Sequence, residues 1–334
     1  MIPAAPPTLP PMHYLGIEIG GTKLQVGVGP DDGVLRGLWR GTVEVAAGPE
    51  GIRRQIAEAV PEVLARSGID PSQLRGVGVG FGGPVDDATR TVIKSHQIEG
   101  WDGFPLADWV GELVGLPAAL GNDADVAGLA EALHGAGKGL SPIFYVTIGS
   151  GIGGGFIING EIYRGCGRGA AEIGHMRFSC SGNEAPGIYS CAPKLVLVEE
   201  MASGFGIANR ARWAGPSDEL IVRCDGNPER ITAQMIAEAA EGGDRLSREL
   251  LRSAWDCLAN AICHVIALLC PRRIVIGGGV SLMGEELLFR PLRQLVAERV
   301  FKPFAGSYDI VPAALGEEVV VHGAIALARK RLSG

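Results

Sequence analysis

Residues 14–28 read YLGIEIGGTKLQVGV, and this stretch decides the fold of the first half of the chain. Two short apolar runs, Tyr14–Ile19 and Leu24–Val28, flank the loop Gly20-Gly21-Thr22-Lys23. Such runs around a glycine pair predict a β-hairpin whose turn faces a ligand. Glycine lets the backbone approach phosphate oxygens closely and point its N–H groups at them.

The same pattern recurs in the second half, where residues 143–159 read IFYVTIGSGIGGGFIIN. This stretch predicts a strand at Ile143–Ile148, a glycine loop at residues 149–155 and a second strand at Phe156–Asn159. The repeat indicates two similarly built halves, each able to meet phosphate groups through a hairpin loop.

Strands and helices alternate along the rest of the chain, which predicts an α/β protein with partly parallel sheets. Helical spacing over residues 51–67 is interrupted by Pro61, so we expect a kink or a break there. We expect a small α/β domain over residues 14–121 and a larger α/β domain over residues 122–316. A terminal helix within residues 317–334 is expected to return and pack on the first domain.

The composition is rich in glycine, with 51 of 334 residues, roughly twice the usual share. These glycines cluster between apolar runs and follow no fixed period, which favours tight turns after strands. The formal net charge is −7, and no block of lysine and arginine occurs. Because nucleic-acid binders carry a basic surface, nucleic acid is not an expected partner.

The seven cysteines are odd in number and three lie in an apolar helical stretch, which indicates free thiols in a reducing compartment. Residues 1–13 hold five prolines and read as a disordered tail, without the apolar core of a signal peptide. No apolar run reaches the ~18 residues of a membrane span. We therefore expect a cytoplasmic protein that does not bind a membrane.

Three glycine loops, at residues 20–23, 149–155 and 277–279, each follow an apolar strand. Each of them can also be only a tight turn, since a short glycine string by itself is weak evidence for a phosphate-binding loop. The 149–155 loop lies between two predicted strands, whereas a dinucleotide-binding fold places its loop between a strand and a helix. A Rossmann dehydrogenase is therefore disfavoured.

Three polar side chains could carry chemistry. Asp123 follows a short strand and precedes a helix, where a carboxylate can accept a proton; the local context by itself favours a helix N-cap instead.

Glu172 and His175 can lie on one face of a turn and bind a vicinal diol of a sugar. A local hydrogen bond or a structural histidine is the alternative, and zinc is not expected because the separation of Cys180 and Cys191 is not a zinc spacing.

Seven strings taken together resemble motifs of the ROK family of bacterial sugar kinases and repressors. They are GIEIGGTK at 16–23, GFGGPVD at 80–86, GNDAD at 121–125, TIGSGIGGG at 147–155, the segment with Glu172 and His175, ASG at 202–204 and IGGGV at 276–280. Each string is weak, but they occur in the family's order and spacing from residue 15 to about residue 330.

The resemblance implies a two-domain, actin-like ATPase (ribonuclease H-like) fold in which a hexose and ATP meet in an interdomain cleft. It implies that Asp123 receives the proton of the sugar's 6-hydroxyl. The other sugar contacts that it implies are Gly83, Gln97, Asn122, Glu172, His175 and Glu199. The ATP contacts that it implies are Gly20, Gly21, Thr22, Lys23, Ser150, Gly151, Gly153, Gly277, Gly278 and Gly279. Mg²⁺ would accompany ATP and reach Glu18 and Asp123 through water.

The sequence departs from the family pattern at three places. Glu18 stands where the first motif usually has aspartate, although the longer side chain can still orient a Mg-bound water. Residues 178–191 read FSCSGNEAPGIYSC and lack the family's zinc-binding cysteine cluster, so no bound zinc is expected. Gln97 occupies the place of a sugar-contacting asparagine, which leaves the preferred hexose open.

The resemblance therefore predicts an ATP-dependent hexokinase that acts on glucose and forms a homodimer. The alternatives are a kinase for fructose, mannose or an N-acetylated amino sugar, and a catalytically silent sugar-binding sensor. A repressor of this family would need an N-terminal helix-turn-helix, which a short proline-rich tail cannot form.

Overall fold

The computed structural model describes residues 12–95, 98–167, 169–180 and 194–332, so nearly all of the predicted N-terminal tail lies outside the described residues. The strands are β1 (His13–Ile19), β2 (Lys23–Gly29), β3 (Gly37–Thr42), β4 (Leu74–Phe81), β5 (Val85–Asp86), β6 (Thr91–Val92), β7 (Ala118–Asn122), β8 (Ile143–Ile148), β9 (Ile152–Ile158), β10 (Glu161–Ile162), β11 (Arg177–Cys180), β12 (Lys194–Leu197), β13 (Arg273–Gly277) and β14 (Asp309–Pro312). The helices are α1 (Gly48–Ser67), α2 (Leu106–Val114), α3 (Asp123–Leu133), α4 (Val198–Ala202), α5 (Gly204–Ala214), α6 (Asp218–Arg223), α7 (Ala233–Glu241), α8 (Arg245–Leu269), α9 (Arg290–Arg299) and α10 (Val319–Leu332). The predicted α/β class is confirmed.

The chain forms two compact units. The first is drawn from Met1–Ala130, Arg164–Gly169 and Glu318–Gly334, and the second from Glu131–Tyr163 and Ala170–Glu317. No helix in the described part of the chain is long and apolar enough to cross a membrane.

The first unit is built on a sheet of order β3-β2-β1-β4-β7. Strands β2 and β3 run antiparallel to their neighbours, whereas β1, β4 and β7 are parallel to one another. Ile19 pairs with Phe81 and Phe81 with Asn122, so the three parallel strands end at the same edge of the sheet. This edge carries the loops that follow each strand.

Helix α10 packs on one face of this sheet, and glycines line that face. A Cβ on Gly16 would lie 2.5 Å from the carbonyl oxygen of Val321, and a Cβ on Gly27, Gly78 or Gly80 would also overlap atoms of α10. At these glycines, α10 therefore packs directly against the backbone of the sheet. Some of the glycines thus serve close packing of helix on sheet, and not tight turns.

The second unit repeats the topology with a sheet of order β10-β9-β8-β13-β14. Strands β8, β13 and β14 are parallel, and β9 runs antiparallel to β8. The predicted similarity of the two halves is confirmed. Helix α8 supplies a large part of this unit's core, although Leu268 near its C-terminal end is 80 % exposed.

Two predictions about element boundaries differ from the structure. Helix α1 is one continuous helix that includes Pro61, so the expected break is not found; Pro61 lies on the exposed side, while Ile52, Ile56 and Val63 are buried on the opposite side. The second glycine loop is also shorter than expected. Strand β9 begins at Ile152 and pairs Gly153 with Thr147, so only residues 149–151 form the loop.

Candidate active site

In the first unit, the site begins where β1 and β4 end. The amide of Gly82, just after β4, donates a 2.8 Å hydrogen bond to the carbonyl oxygen of Ile19 at the end of β1. The amide of Gly20 donates to the carbonyl oxygen of Lys23 at 2.9 Å and closes the β1–β2 turn. The two glycine loops therefore lie side by side.

Asp123 lies beside these two loops as the first residue of α3 and is half-buried. A Cβ placed on Gly82 would lie 3.5 Å from Oδ2 of Asp123 and 3.5 Å from Cα of Gly20. Oδ1 of Asp123 accepts a 2.8 Å hydrogen bond from the amide of Ala124. One oxygen of the carboxylate is thus held by the helix, and the other lies next to Gly82.

Asn122 carries out the capping that the local sequence assigned to Asp123. Its Oδ1 accepts hydrogen bonds from the amides of Ala124, at 2.9 Å, and Asp125, at 3.3 Å, which satisfy the first turn of α3. Its Nδ2 donates a 3.0 Å hydrogen bond to the carbonyl oxygen of Gly83. The N-cap interpretation of Asp123 is therefore wrong.

Glu18 lies near the end of β1 and is 6 % exposed. It forms a 3.1 Å ion pair with Nζ of Lys23 across the hairpin, which the sequence analysis did not anticipate. Carboxylate oxygens are the protein ligands that Mg²⁺ prefers. Glu18 lies near the end of β1 and Asp123 directly follows β7, and both strands end at the same edge of one sheet. Their chemistry fits a Mg²⁺ ion that arrives with a nucleotide.

In the second unit, loop 149–151 lies beside the glycine turn that follows β13. Gly277 pairs with Thr147, so β8 and β13 end at the same edge of their sheet. A Cβ on Gly278 would lie 2.6 Å from the carbonyl oxygen of Ile148, and the φ of Gly278 is +83°. A Cβ on Gly149 or Gly279 would meet no described atom within 4 Å, so both backbones are open to a ligand.

Glu199 and the start of α5 hold this loop in place. Oε2 of Glu199 accepts a 3.2 Å hydrogen bond from the amide of Ile152. The amide of Gly204 donates to the carbonyl oxygen of Gly149 at 2.8 Å. One carboxylate predicted to bind sugar is therefore also tied to the predicted phosphate loop.

Glu172 and His175 lie in a segment that runs along β9. A Cβ on Gly174 would overlap the carbonyl of Ile152, and one on Gly154 would overlap the carbonyl of Ala171, so the two backbones are in close contact. Oε2 of Glu172 is 3.9 Å from Nδ1 of His175, and both side chains are more than half exposed. Both side chains are thus accessible to a ligand, beside the strand that follows loop 149–151.

In the first unit, the predicted residues that lie together at one edge of the sheet are Glu18, Gly20, Lys23, Gly83, Asn122 and Asp123. In the second unit, Gly151 lies against Glu199 and Gly278 lies against Ile148 beside the 149–151 loop, whereas Glu172 and His175 lie along β9. Gln97, Cys191 and the side chain of Cys180 lie outside what the structure describes. In the described residues, no group of three or more His, Cys, Asp and Glu side chains could hold a metal ion. Gly82 and Gly204 were not predicted as site residues, although each could have been recognised as a glycine directly after a strand or before a helix.

Comparison with known proteins identifies this arrangement. The chain is 32 % identical over 329 residues to the glucokinase of Thermotoga maritima, and the match covers 98 % of this chain and 100 % of that protein. Its fold matches a ROK family glucokinase from Streptomyces griseus, solved with glucose and AMPPNP, with a TM-score of 0.77, 30 % identity and coverage of 95 % and 99 % of the two chains. A ROK hexokinase from Thermus thermophilus gives a TM-score of 0.77 at 26 % identity, with coverage of 96 % and 99 %.

These similarities confirm the predicted actin-like ATPase fold. The family model described as "ROK family" matches residues 14–331, nearly the whole chain. The chain belongs to the ROK family.

Proposed function

We propose that this chain is an ATP-dependent glucokinase that transfers the γ-phosphoryl group of ATP to the 6-hydroxyl of glucose. The observation that carries the proposal is the carboxylate of Asp123 beside the glycine loops after β1 and β4. Nearly full-length similarity to a glucokinase, and to a ROK glucokinase solved with glucose and AMPPNP, supports the same activity.

Asp123 has the chemistry that this transfer needs. The hydroxyl group of a sugar is a poor nucleophile, and a positioned carboxylate removes its proton as the new P–O bond forms. The amide of Ala124 holds Oδ1 and restricts the orientation of the carboxylate, whose Oδ2 lies next to Gly82. Positioning of this kind and electrostatic stabilisation account for most of the rate enhancement in phosphoryl transfer.

The other predicted contacts are retained as parts of the proposal. The proposed contacts to the sugar hydroxyls are Asn122, Gly83, Gln97, Glu172, His175 and Glu199. Glycine backbones after β1, β8 and β13, with Thr22, Lys23 and Ser150, bind ATP. A homodimer and a cytoplasmic location stay predictions.

Magnesium is proposed to accompany ATP, with Glu18 and Asp123 holding its water ligands. When bound, Mg²⁺ offsets negative charge on the transferring phosphoryl group. Glu18 forms an ion pair with Lys23, so the carboxylate lies beside a predicted ATP contact.

A coupled assay of ADP release with Mg-ATP tests the function. Glucose, fructose, mannose and N-acetylglucosamine are supplied in turn, and phosphorus NMR identifies the phosphorylated hydroxyl. We expect the highest kcat/KM for glucose and a 6-phosphate product. If another sugar is preferred, the substrate assignment is wrong. If glucose binds by calorimetry but no sugar releases ADP, the chain is a sensor and not a kinase.

A further inference from the structure

Three polar residues form a row across the first sheet, on the face covered by α10. The strand registers pair Glu18 with Gln25 and Gln25 with Arg40. Directly paired residues of antiparallel strands point to the same face. We call Glu18, Gln25 and Arg40 the polar row.

Charged partners hold both ends of the polar row. Glu18 is paired with Lys23 at 3.1 Å, and Arg40 forms an ion pair with Glu318. The centre of the row is the neutral residue Gln25, whose side-chain amide carries both hydrogen-bond donors and an acceptor.

Gln25 is fully buried, at 0 % exposure. Within the described part of the chain, neither Nε2 nor Oε1 of its amide has a hydrogen-bond partner. A buried amide without partners is unfavourable, because it gives up its hydrogen bonds to water and gains none. Gly27, which follows on the same face of β2, lies against Val321, so the surroundings would suit a hydrocarbon side chain better.

The position of this amide suggests its use. We propose that Gln25 is a positioning residue whose amide binds an ordered water molecule that also hydrogen-bonds to the carboxylate of Glu18. The water fixes the carboxylate in the orientation that receives the Mg·nucleotide. This inference rests on the proposed function, since it assigns Glu18 to the Mg²⁺ site.

The side chain of Gln25 carries no charge, and this matters for its proposed role. Lys23 already lies beside Glu18, and a lysine or arginine in place of Gln25 would add a second cation that competes with Mg²⁺ for this carboxylate. A carboxylate in place of Gln25 would repel the carboxylate of Glu18. An amide orients the neighbouring carboxylate through hydrogen bonds and leaves its charge available to the metal.

Gln25→Met tests the proposal, because methionine keeps the length of the side chain and removes the amide. Calorimetry with Mg·AMPPNP in the absence of sugar measures binding independently of turnover. We expect about tenfold weaker binding, the usual size of an effect from a residue that orients a metal ligand. The Tm is expected to stay nearly the same, because methionine is close in size to glutamine and the removed amide bonds to a water molecule and not to a protein group. Glucose affinity is expected to stay unchanged.

Two further variants separate this role from a structural one. Val28→Ala weakens the same strand on its opposite face, where Val28 is fully buried; it is expected to lower the Tm and leave Mg·AMPPNP affinity unchanged. In a Glu18→Gln background, Gln25→Met is expected to have no further effect on affinity, because its partner has been removed.

The proposal is overturned if Gln25→Met binds Mg·AMPPNP within twofold of the wild type, or if the loss persists in the Glu18→Gln background. A lower Tm with unchanged affinity would also overturn it, since Gln25 would then be only structural. If the wild type binds Mg·AMPPNP but phosphorylates no sugar, the proposed function fails while the role of Gln25 is still measured.

Discussion

The side-chain amide of Asn122 donates a 3.0 Å hydrogen bond to the carbonyl oxygen of Gly83. The same side chain caps α3 through its Oδ1, so one residue joins the end of β7, the start of α3 and the loop after β4. The orientation of Asp123, the next residue, depends on all three.

Asn122→Ala is expected to lower the free energy of unfolding by about 1–2 kcal/mol, as the loss of a helix cap usually does. It is also expected to weaken glucose binding, because Gly83 and Asp123 lose their shared support. Urea unfolding and calorimetry measure the two effects. Ser217→Ala removes the cap of α6 and serves as the control; it should affect stability but not glucose affinity. Equal effects of both variants on glucose affinity would contradict the role of Asn122.

Glu199→Ala is expected to raise the KM for ATP as well as for glucose. Its Oε2 holds the amide of Ile152, so the carboxylate supports the loop after β8 in addition to its proposed sugar contact. Steady-state kinetics with each substrate varied in turn measures the change. Glu200→Ala is the matched control, since Glu200 lies on the same helix but accepts from the amide of Leu197 at 2.8 Å. An increase confined to glucose would show that the bond to the loop has no effect on ATP.

Gly278→Ala is expected to raise the KM for ATP and to lower stability. Its φ of +83° disfavours any side chain, and the new Cβ would lie 2.6 Å from the carbonyl oxygen of Ile148 and push on the adjoining loop. Gly284→Ala isolates the backbone strain, because Gly284 has a φ of +75° but a Cβ there meets no described atom within 4 Å. The control is expected to lose about 1–2 kcal/mol and keep its KM for ATP. Similar kinetics for the two variants would argue against a nucleotide contact at Gly278.

The N-terminus of α8 provides a prediction about pH. Burial opposes ionisation of Asp244, but hydrogen bonds from Ser247 and Ser217 to the charged form hold the pKa of this carboxyl below its ordinary value of 3.8. A lowered folded-state pKa contributes stability above pH 3.8 that is lost as the pH falls through the folded value.

Asp244→Asn keeps a capping side chain and removes the charge. Wild type is therefore expected to be more stable than the variant at neutral pH, and the difference should shrink as the pH falls below 3.8. Urea unfolding of both proteins at a series of pH values measures it. A difference that does not change with pH would show that the charge of Asp244 contributes nothing.

The sequence predicted the strands that lead into the site, because apolar runs that end in glycine are local signals. The loop after β8 was predicted to be too long, because the glycines at 153–155 were assigned to it. These residues in fact belong to β9 and form backbone hydrogen bonds with β8. Helix α1 continues through Pro61 because the packing of its buried side outweighs one missing hydrogen bond. Strand β3 was missed because its side chains are mostly half-exposed and show no apolar run.

The residue types in the site could be predicted from the sequence, but the role of each residue could not. Asn122 and Asp123 are both good capping residues, and only the geometry shows that Asn122 caps α3 while Asp123 lies beside Gly82. The ion pair of Glu18 with Lys23 depends on the register of a hairpin, and the unpaired amide of Gln25 depends on the packing of α10. Neither is visible in a local pattern.

The most direct test of the proposed mechanism is the effect of Asp123→Asn on kcat, measured beside glucose affinity. The substitution preserves the shape of the side chain but removes the base. We expect kcat to fall roughly 10²–10⁴-fold, the usual contribution of a general base, while calorimetry finds glucose affinity nearly unchanged. A variant that keeps a kcat close to that of the wild type would contradict the assignment of Asp123 as the base and with it the mechanism proposed here.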